Sequence, residues 1–496
     1  MTRMHLTQVV TRGALLKANR KALHCGDRQL DWREFHDRVA RLAGVLADLG
    51  VSAGTGVAML ADSGFPYFEY HFAVPWAGGV MVPLNTRLAD AELVYILNDA
   101  EAKVLIVDQA HAARAPALLR QAPGLRQVLT IDAPAGSGAL DYETAIAARA
   151  PLPDARRGGA DLLAIIYTGG TTGLPKGISY GEKAMLKTAV EGLSSFVPGL
   201  LRRAARDEAG NLPGGRITRQ LLQAPATAKS LQWMLEHAPL GNNSLLPRWV
   251  QGRVRALVVS PMMHSVGWGV SHALTKMGGT VYILEGKSYN PEEAYAMIRD
   301  HRINFLAAIG DSTLKPLLHV LDERGAAPIQ HLTTIGSVGM PAAAEVKERL
   351  LKTHLPGSTF VDVLGGSEIT GISFQIYTAR DKVFNKVTFP VSDRNLIINP
   401  ETGVPVKPGE VGELARRTSV PPQGYYKDPE KTRATLGDDG WVRTGDMGDF
   451  DAAGRWTSFS VAKSITATLV GAAIRDGHIR SMDDKVSDYI PDMKGS

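Results

Sequence analysis

The stretch ADAELVYILNDAEAKVLIV, residues 89–107, decides the fold class of this chain. Its first part, residues 89–100, has the apolar spacing of a helix, and the run KVLIV at residues 103–107 has the composition of a strand. The same alternation between a helical and a strand period extends over residues 30–110. Alternation of this kind predicts an α/β fold, in which helices pack on mixed, largely parallel sheets.

A helix upstream of this stretch shows the helical period most clearly. It has the sequence EFHDRVARLAGVLADLG, and we expect Gly50 to end it. One face of this helix carries apolar residues at helical spacing: Phe35, Val39, Leu42, Leu46 and Leu49. Further short apolar runs predict strands at residues 57–60, 162–167, 256–260, 281–284, 305–309 and 359–364.

The later part of the chain has a different texture. Apolar residues alternate with Pro and Gly turns over residues 395–417, which predicts β-hairpins in a β-rich subdomain at the edge of the main domain. Residues 197–250 are rich in Arg, Gly, Pro and Asn and predict a surface insertion with short helices. Because 496 residues exceed one ordinary core, we expect a large domain of several subdomains over residues 1–455, followed by a short segment, residues 456–496.

Composition and charge exclude several classes of protein. Hydrophobic residues make up 44% of the chain, as in ordinary globular proteins. The formal net charge of +5 is small for this length, so we expect no nucleic-acid partner. Cys25 is the only cysteine, which fits a reducing compartment. Without an apolar run of membrane-spanning length or a secretory signal, the sequence predicts a soluble cytoplasmic protein, and it leaves the oligomeric state open, with a dimer as one option.

A segment rich in Gly and Thr follows the predicted strand at residues 162–167. It reads YTGGTTGLPKG from Tyr167 to Gly177. Glycines let backbone N–H groups approach an anion closely, Thr hydroxyls add donors, and Lys176 supplies a mobile positive charge. The segment differs from the common nucleotide loop, in which Ser or Thr follows the Lys, because Gly177 stands there. A glycine-rich turn between strands is the alternative, but the density of hydroxyls and charge favours a phosphate site.

This segment closely resembles the signature of the adenylate-forming superfamily, which includes the acyl-CoA synthetases. Other segments resemble motifs of that family in the same order. They are VPLNTRL at 82–88, PMMHSVGWG at 261–269, GSVGMP at 336–341, VLGGSEITG at 363–371, GYYKDPEKT at 424–432 and WVRTGD at 441–446. The form GGTTGLPKG favours synthetases that act on fatty or sterol-derived acids.

The resemblance implies ATP-dependent activation of a carboxylic acid. The carboxylate attacks the α-phosphorus of ATP, pyrophosphate leaves, and the acyl group of the adenylate then forms a thioester with coenzyme A. Two anions meet in this reaction, so the site needs positive charge and a divalent ion. By resemblance, Lys176 and Glu368 are the catalytic residues, Glu368 and Thr172 ligate Mg²⁺, and Asp446 binds the ribose hydroxyls.

The resemblance also implies the rest of the site. The expected residues around ATP are Thr168, Gly169, Gly170, Thr171, Thr172, Gly173, Lys176, Ser337, Gly339, Gly365, Gly366, Ser367 and Asp446. The expected residues of the substrate pocket are His264, Gly267, Trp268 and Gly336. We expect His264 to line the pocket rather than to transfer a proton. The expected substrate is a fatty, sterol-derived or aromatic carboxylic acid.

Three residues depart from the family's pattern. Leu364 stands in place of an aromatic residue that stacks on adenine, Ser367 replaces a Thr, and Val338 replaces a Gly. These changes alter the shape of the adenine side without removing a charged group. They are expected to change nucleotide affinity rather than the reaction.

The end of the chain resembles a different family. The hinge and mobile C-terminal domain of the adenylate-forming family do not follow residue 455, which predicts an impaired ligase. Residues 456–496 instead resemble the nucleophile helix of serine hydrolases of the β-lactamase and penicillin-binding type, with Ser460 and Lys463 on one helical face. The other elements of a hydrolase site are not found. A serine hydrolase acting through this tail and a non-catalytic nucleotide- or acyl-binding remnant are therefore the alternatives to an acyl-CoA ligase.

Overall fold

The structure is a computed structural model of the chain. It describes residues 5–132, 139–153, 162–170, 173–186, 230, 254–276, 278–286, 288–325, 327–367, 373–384, 389–390, 394–418, 421–437, 440–450, 455–459 and 478. The insertion predicted at residues 197–250 therefore lies outside the described residues, apart from Ser230. In the described part of the chain, no helix has the length and apolar character needed to cross a membrane.

The helices of the described residues, in chain order, are α1 Gln8–Lys17, α2 Trp32–Asp48, α3 Phe65–Ala77, α4 Asp90–Asp99, α5 Ala115–Gln121, α6 Tyr142–Ala148, α7 Ser265–Lys276, α8 Pro291–Asp300, α9 Gly310–Arg324, α10 Ala344–Arg349 and α11 Pro429–Thr435. The strands are β1 Lys21–Cys25, β2 Arg28–Asp31, β3 Gly56–Leu60, β4 Val80–Pro83, β5 Ala102–Asp108, β6 Gln127–Ile131, β7 Ala139–Asp141, β8 Leu162–Gly170, β9 Gly173–Gly181, β10 Arg255–Val258, β11 Thr280–Ile283, β12 Phe305–Ala308, β13 Thr334–Val338, β14 Thr359–Leu364, β15 Ser373–Thr378, β16 Phe389–Pro390, β17 Asn395–Ile398, β18 Gly412–Arg417, β19 Gly424–Tyr425, β20 Trp441–Phe450 and β21 Arg455–Phe459.

These elements confirm the α/β class and the patterns from which it was predicted. The opening stretch folds into α4 and β5, and the upstream helix is α2. On α2, Phe35, Val39, Leu42 and Leu46 are buried, as the spacing predicts. Asp31 caps the first turn by accepting a hydrogen bond from the backbone N–H of Glu34 at 2.8 Å, and the Glu34 side chain accepts one from the backbone N–H of Asp31 at 2.9 Å.

The first sheet, sheet I, has the strand order β19-β9-β8-β4-β3-β5-β6-β7. The strands from β8 to β7 run parallel, whereas β8, β9 and β19 pair antiparallel. Successive residues of β3 enter different apolar cores: Val57 and Met59 face one, and Ala58 and Leu60 face the other. Burial of both faces explains why these parallel strands read as continuous apolar runs in the sequence.

The second sheet, sheet II, has the order β15-β14-β13-β12-β10-β11-β1-β2. Its inner strands are parallel, and β15 and β2 pair antiparallel at the two edges. Sheets I and II share one large core with α2 and α3, to which Trp32, Phe72, Met59 and Val258 contribute. Because parallel strands end on the same side, the carboxyl ends of β12, β13 and β14 meet along one edge.

A third sheet, sheet III, is antiparallel with the order β16-β21-β20-β18-β17. It belongs to a separate compact unit, formed by Thr388–Arg417 and Trp441–Ser496, whereas Met1–Val387 and Thr418–Gly440 form the other unit. The pairing of β17 with β18 confirms the predicted β-hairpin pattern. The boundary expected after residue 455 falls inside β21, whose residues pair with β20. The start of the segment that we expected to be helical is thus a strand.

Candidate functional site

The predicted phosphate segment is an antiparallel hairpin formed by β8 and β9. Thr168 lies opposite Lys176, and Gly170 lies opposite Gly173. The ladder shifts register between Thr168 and Gly170, which marks an irregular backbone at the tip. Thr171 and Thr172 lie outside the described residues. The structure therefore brings the Thr hydroxyl and the Lys ammonium to the same end of one hairpin.

Lys176 is exposed and makes an ion pair that sequence analysis missed. Its Nζ donates to Oδ2 of Asp428 at 3.0 Å. Asp428 also caps α11 by accepting a hydrogen bond from the backbone N–H of Lys431 at 2.9 Å. The amide of Lys431 and the ammonium of Lys176 together lower the pKa of Asp428 below its ordinary value, so it is a carboxylate at neutral pH.

The segment containing Asp428 reaches the hairpin through strand pairing. Residues of β19 pair with β9, with Gly424 opposite Ser179, and the N–H of Tyr426 donates to the carbonyl of Gly177 at 2.7 Å. Gly424 has a φ of +116°, and a Cβ there would lie 2.4 Å from Cγ2 of Thr432. Glycine is required at this position. The start of the motif at 424–432 thus forms a strand, β19, that pairs with β9 of the hairpin.

A second contact fixes the hairpin to α4. The hydroxyl of Tyr167 donates to Oδ2 of Asp99 at 2.5 Å. Burial first, and then the hydrogen bond to Asp99, raise the pKa of Tyr167 well above its ordinary value, so the phenol stays protonated. Tyr167 directly precedes Thr168, so this contact orients the start of the phosphate segment. No local pattern in the sequence indicates this contact, since 68 positions separate the two residues.

The residues predicted for the adenine side lie at the carboxyl ends of β13 and β14. Ser337 is buried, donates to the carbonyl of Met340 at 3.1 Å and accepts from the N–H of Gly310 at 3.1 Å. Gly339 follows β13 with a φ of +81°. Gly336 pairs with Val361 of β14. The hydroxyl of Ser337 is therefore occupied by two backbone hydrogen bonds, which join the ends of β12 and β13.

The residues after β14 approach the first turn of α7. Gly365, Gly366 and Ser367 are half-buried, and Oγ of Ser367 lies 3.5 Å from Oγ of Ser265. The predicted magnesium ligands Glu368 and Thr172 lie outside the described residues. Ser367 and Ser265 thus bring the expected nucleotide motif and the expected pocket motif together.

Three of the predicted pocket residues, His264, Gly267 and Trp268, lie at the start of α7, whereas the fourth, Gly336, lies on β13. Gly267 is tightly packed, because a Cβ there would lie 2.2 Å from the carbonyl oxygen of Pro261. Trp268 is buried, and its ring centroid lies 6.0 Å from that of Tyr180. The side chain of His264 is accessible to solvent. Partial desolvation by the surrounding protein, and then the positive charge of Arg87, lower the pKa of His264. A neutral imidazole fits the role of a lining residue.

Asp446 lies in β20 of sheet III, in the second compact unit. Its backbone N–H donates to Oγ1 of Thr444 at 3.1 Å, and the preceding N–H, of Gly445, donates to Oε1 of Glu413 at 3.0 Å. These bonds form an irregular turn within the strand, with Gly445 at a φ of +73°. The contact of Asp446 with ribose stays a prediction.

One group of side chains among the described residues has the spacing of a metal site, and it includes neither of the predicted magnesium ligands. It consists of Asp62, Asp108 and His111. Asp108 accepts hydrogen bonds from the backbone N–H groups of Asp62 and His111, and Nδ1 of His111 lies 2.6 Å from it. These hydrogen bonds explain why the three side chains lie together: Asp108 caps the backbone at the carboxyl end of β5.

The family of the chain follows from comparison with known proteins. A model of the AMP-binding enzyme family matches residues 11–200 and 232–426. A medium/long-chain-fatty-acid–CoA/3-oxocholest-4-en-26-oate–CoA ligase of Mycobacterium tuberculosis is 25% identical over 439 residues, which are 87% of this chain and 72% of that protein. A 3-oxocholest-4-en-26-oate–CoA ligase of Rhodococcus rhodochrous is 25% identical over 461 residues, which are 90% of this chain and 75% of that protein.

A solved structure shares the fold. The solved structure of a fatty acyl CoA synthetase of Mycobacterium tuberculosis matches with a TM-score of 0.70 at 19% identity, covering 92% of this chain and 78% of that chain. None of these similarities supports the hydrolase-like reading of the tail, and Ser460 and Lys463 lie outside the described residues. The chain belongs to the AMP-binding enzyme family, among its AMP-forming acyl-CoA ligases.

Proposed function

We propose that this enzyme uses ATP to convert a fatty or sterol-type carboxylic acid into its acyl-adenylate, and then transfers the acyl group to coenzyme A. The observation that carries the proposal is the β8–β9 hairpin, which places Thr168 opposite Lys176 in a family that binds ATP. The fatty and sterol acids named for the M. tuberculosis and R. rhodochrous ligases support this substrate class.

The hairpin supplies the charge that the reaction needs. The ammonium of Lys176 is held by one exposed carboxylate, so it can exchange that partner for a phosphate oxygen at small cost. The backbone N–H groups of the glycines and the hydroxyl of Thr168 add neutral donors at the same end. Mg²⁺ would supply charge neutralisation between the phosphates, with Glu368 and Thr172 as its proposed ligands. Asp446 is proposed to bind ribose.

The acyl side of the site is proposed to begin at His264 and Trp268. Gly267 brings the first turn of α7 against the backbone of Pro261, which fixes the position of both neighbours. Ser265 contacts Ser367, so an acid lying along α7 would present its carboxyl group near the expected nucleotide motif. This arrangement supports positioning as the main contribution of these residues.

The proposal is tested by measuring the two half-reactions separately. ATP–pyrophosphate exchange is measured with a panel of medium-chain, long-chain, sterol-derived and aromatic acids, and acyl-CoA formation is measured in parallel. We expect exchange with at least one fatty or sterol acid and its loss in Lys176→Met. Binding of ATP without exchange for any acid would contradict the proposal and favour a non-catalytic binding protein.

The hydrolase alternative has its own test. Ser460 and Lys463 supply at most a nucleophile and its neighbour, whereas an active serine also needs an oxyanion site and walls that position a substrate. We therefore expect a fluorophosphonate or penicillin probe to leave Ser460 unlabelled. Stoichiometric labelling that disappears in Ser460→Ala would establish a second active site.

A further inference from the structure

Helix α7 carries polar side chains where a core helix is expected to be apolar. Trp268, His272 and Lys276 follow one another at intervals of four residues, so they form one stripe along the helix. His264 precedes this stripe by the same interval. At 1.5 Å per residue, the stripe leads about 18 Å from the predicted pocket residue His264 to Lys276.

The nitrogen atoms of this stripe are buried without partners. Nζ of Lys276, both ring nitrogens of His272 and Nε1 of Trp268 have no hydrogen-bond partner among the residues that the structure describes. The relative exposure of His272 is 1% and that of Lys276 is 6%. Buried polar groups are normally hydrogen-bonded, and leaving one unpaired costs about 1–3 kcal/mol.

A further unpartnered histidine comes from α3. His71 is 2% exposed, and both its ring nitrogens lack a partner within the described residues. Its ring centroid lies 5.2 Å from that of His272 and 6.5 Å from that of Trp268. We call His71, Trp268, His272 and Lys276 the donor cluster. Burial lowers the pKa of His71 to about 3 and that of His272 well below its ordinary value, so both imidazoles are neutral and each offers one N–H donor. Burial also lowers the pKa of Lys276, to about 7.

Aromatic rings pack against the two histidines of the donor cluster. The ring of Phe72 lies 4.9 Å from that of His272, and the ring of Tyr67 lies 5.3 Å from that of His71. Space is open at Gly269 of α7, because a Cβ added there would meet no atom within 4 Å. Gly269, His272 and Lys276 are spaced by three and four residues and therefore share one face of the helix. Gly269 itself is partly exposed, and the buried donors follow it along the same side of the helix.

We propose that the donor cluster binds an oxygen acceptor at the far end of the acyl substrate, remote from the carboxyl group that reacts. The inference rests on the proposed acyl-CoA ligase function and narrows its substrate class to acids that carry a second oxygen function. A carbonyl oxygen has two lone pairs, which match two N–H donors of the cluster. A second carboxylate would pair with the ammonium of Lys276. Either group satisfies donors that the protein leaves unpaired, and a plain hydrocarbon chain satisfies none of them.

The test compares three acids of equal chain length: a plain fatty acid, the keto acid with its carbonyl on the penultimate carbon, and the dicarboxylic acid. Their binding to the full chain is measured by calorimetric titration, so that the result does not depend on turnover. We expect at least one oxygenated acid to bind about tenfold or more tightly than the plain acid. Preference for the keto acid identifies a carbonyl ligand, and preference for the dicarboxylic acid identifies a carboxylate ligand.

The variants Lys276→Met and His272→Phe remove donors while keeping apolar bulk, and both should bring the ratio of affinities close to one. The controls are Lys103→Met, on β5, and His24→Phe, a buried histidine on β1 outside the cluster; both should keep the wild-type ratio. Thermal unfolding establishes that each variant is folded.

Equal binding of the three acids by the wild-type protein, or a preference that survives both cluster variants, would overturn the inference. Pyrophosphate exchange with plain acids would leave the proposed function intact in that case. Conversely, a preference in binding without exchange for any acid would refute the ligase function while leaving the donor cluster as an oxygen-binding site.

Discussion

Nζ of Lys176 lies 3.0 Å from Oδ2 of Asp428, although 252 positions separate the two residues in the chain. The contact joins the lysine expected to bind phosphate to the N-cap of α11. A phosphate group at the hairpin and the carboxylate of Asp428 therefore compete for the same ammonium group. This competition leads to the first two predictions.

Asp428→Asn should strengthen ATP binding. The substitution removes the competing negative charge, and Asn keeps the helix cap because its side-chain oxygen also accepts from the N–H of Lys431. An exposed ion pair contributes up to about 1 kcal/mol, so the dissociation constant for ATP should fall about two- to fivefold. Calorimetric titration measures it, with Asp428→Ala as the comparison that also loses the cap. Weaker ATP binding by Asp428→Asn would show that the carboxylate assists binding.

Lys176→Met should weaken ATP binding about tenfold, the lower end expected for loss of a charge-assisted contact at an exposed position. Lys183→Met is the matched control, since Lys183 is also exposed and lies seven residues further along the chain. The two variants have the same net charge, so a general electrostatic effect would weaken ATP binding equally in both. Equal ATP affinities of the two variants would show that Lys176 does not contact ATP.

Gly267→Ala and Gly269→Ala should change stability in opposite directions. A methyl group at Gly267 would lie 2.2 Å from the backbone oxygen of Pro261, which cannot move without shifting the chain, whereas one at Gly269 meets nothing within 4 Å. Within a helix, Ala is favoured over Gly by about 1 kcal/mol. Urea unfolding should show Gly269→Ala as more stable and Gly267→Ala as less stable than the wild type. Two stabilised variants would show that α7 tolerates a side chain against Pro261.

Asp362→Leu should destabilise the protein by about 3–5 kcal/mol, because it leaves the ammonium of Lys347 buried and unpaired. Nζ of Lys347 lies 2.7 Å from Oδ2 of Asp362, and their side chains are 1% and 5% exposed. The pair joins α10 to β14, the strand that leads to Gly365. In a double-mutant cycle, Lys347→Met combined with Asp362→Leu should be markedly less destabilised than the sum of the single variants. Additive effects would contradict a direct coupling.

Lys276→Met should stabilise the protein, and more at pH 7 than at pH 10. Burial lowers the pKa of Lys276 to about 7, while the unfolded chain keeps its ordinary value near 10.5. Between these two pKa values the unfolded state binds more protons than the folded state, so stability rises with pH. The destabilisation caused by burying Lys276 is therefore largest at and below pH 7. Lys276→Met removes this destabilisation, and its free energy of unfolding at pH 7 should exceed that of the wild type by at least about 1.4 kcal/mol. Urea unfolding at the two pH values measures the gain, and an equal gain at both would show that Lys276 is not desolvated.

Local patterns in the sequence predicted most elements of the fold. The helical spacing of Phe35, Val39 and Leu42 predicted α2, and their burial confirms it. The same holds for β3 and β5, because a strand buried on both faces must be a short apolar run. The candidate site was also predicted locally, since the chemistry of a phosphate segment lies in consecutive residues, from Thr168 to Lys176.

What the sequence by itself determined is therefore the set of elements and the positions of the motifs. Only the tertiary structure decided which distant residues meet: β1 pairs with β11, Asp428 holds Lys176, and Tyr167 binds Asp99. It alone also placed the polar stripe of α7 against His71, with no acceptor supplied by the described residues. The physical reason is that periodicity and residue type act over one or two helical turns, whereas pairing across the chain depends on how whole sheets and helices share their buried faces.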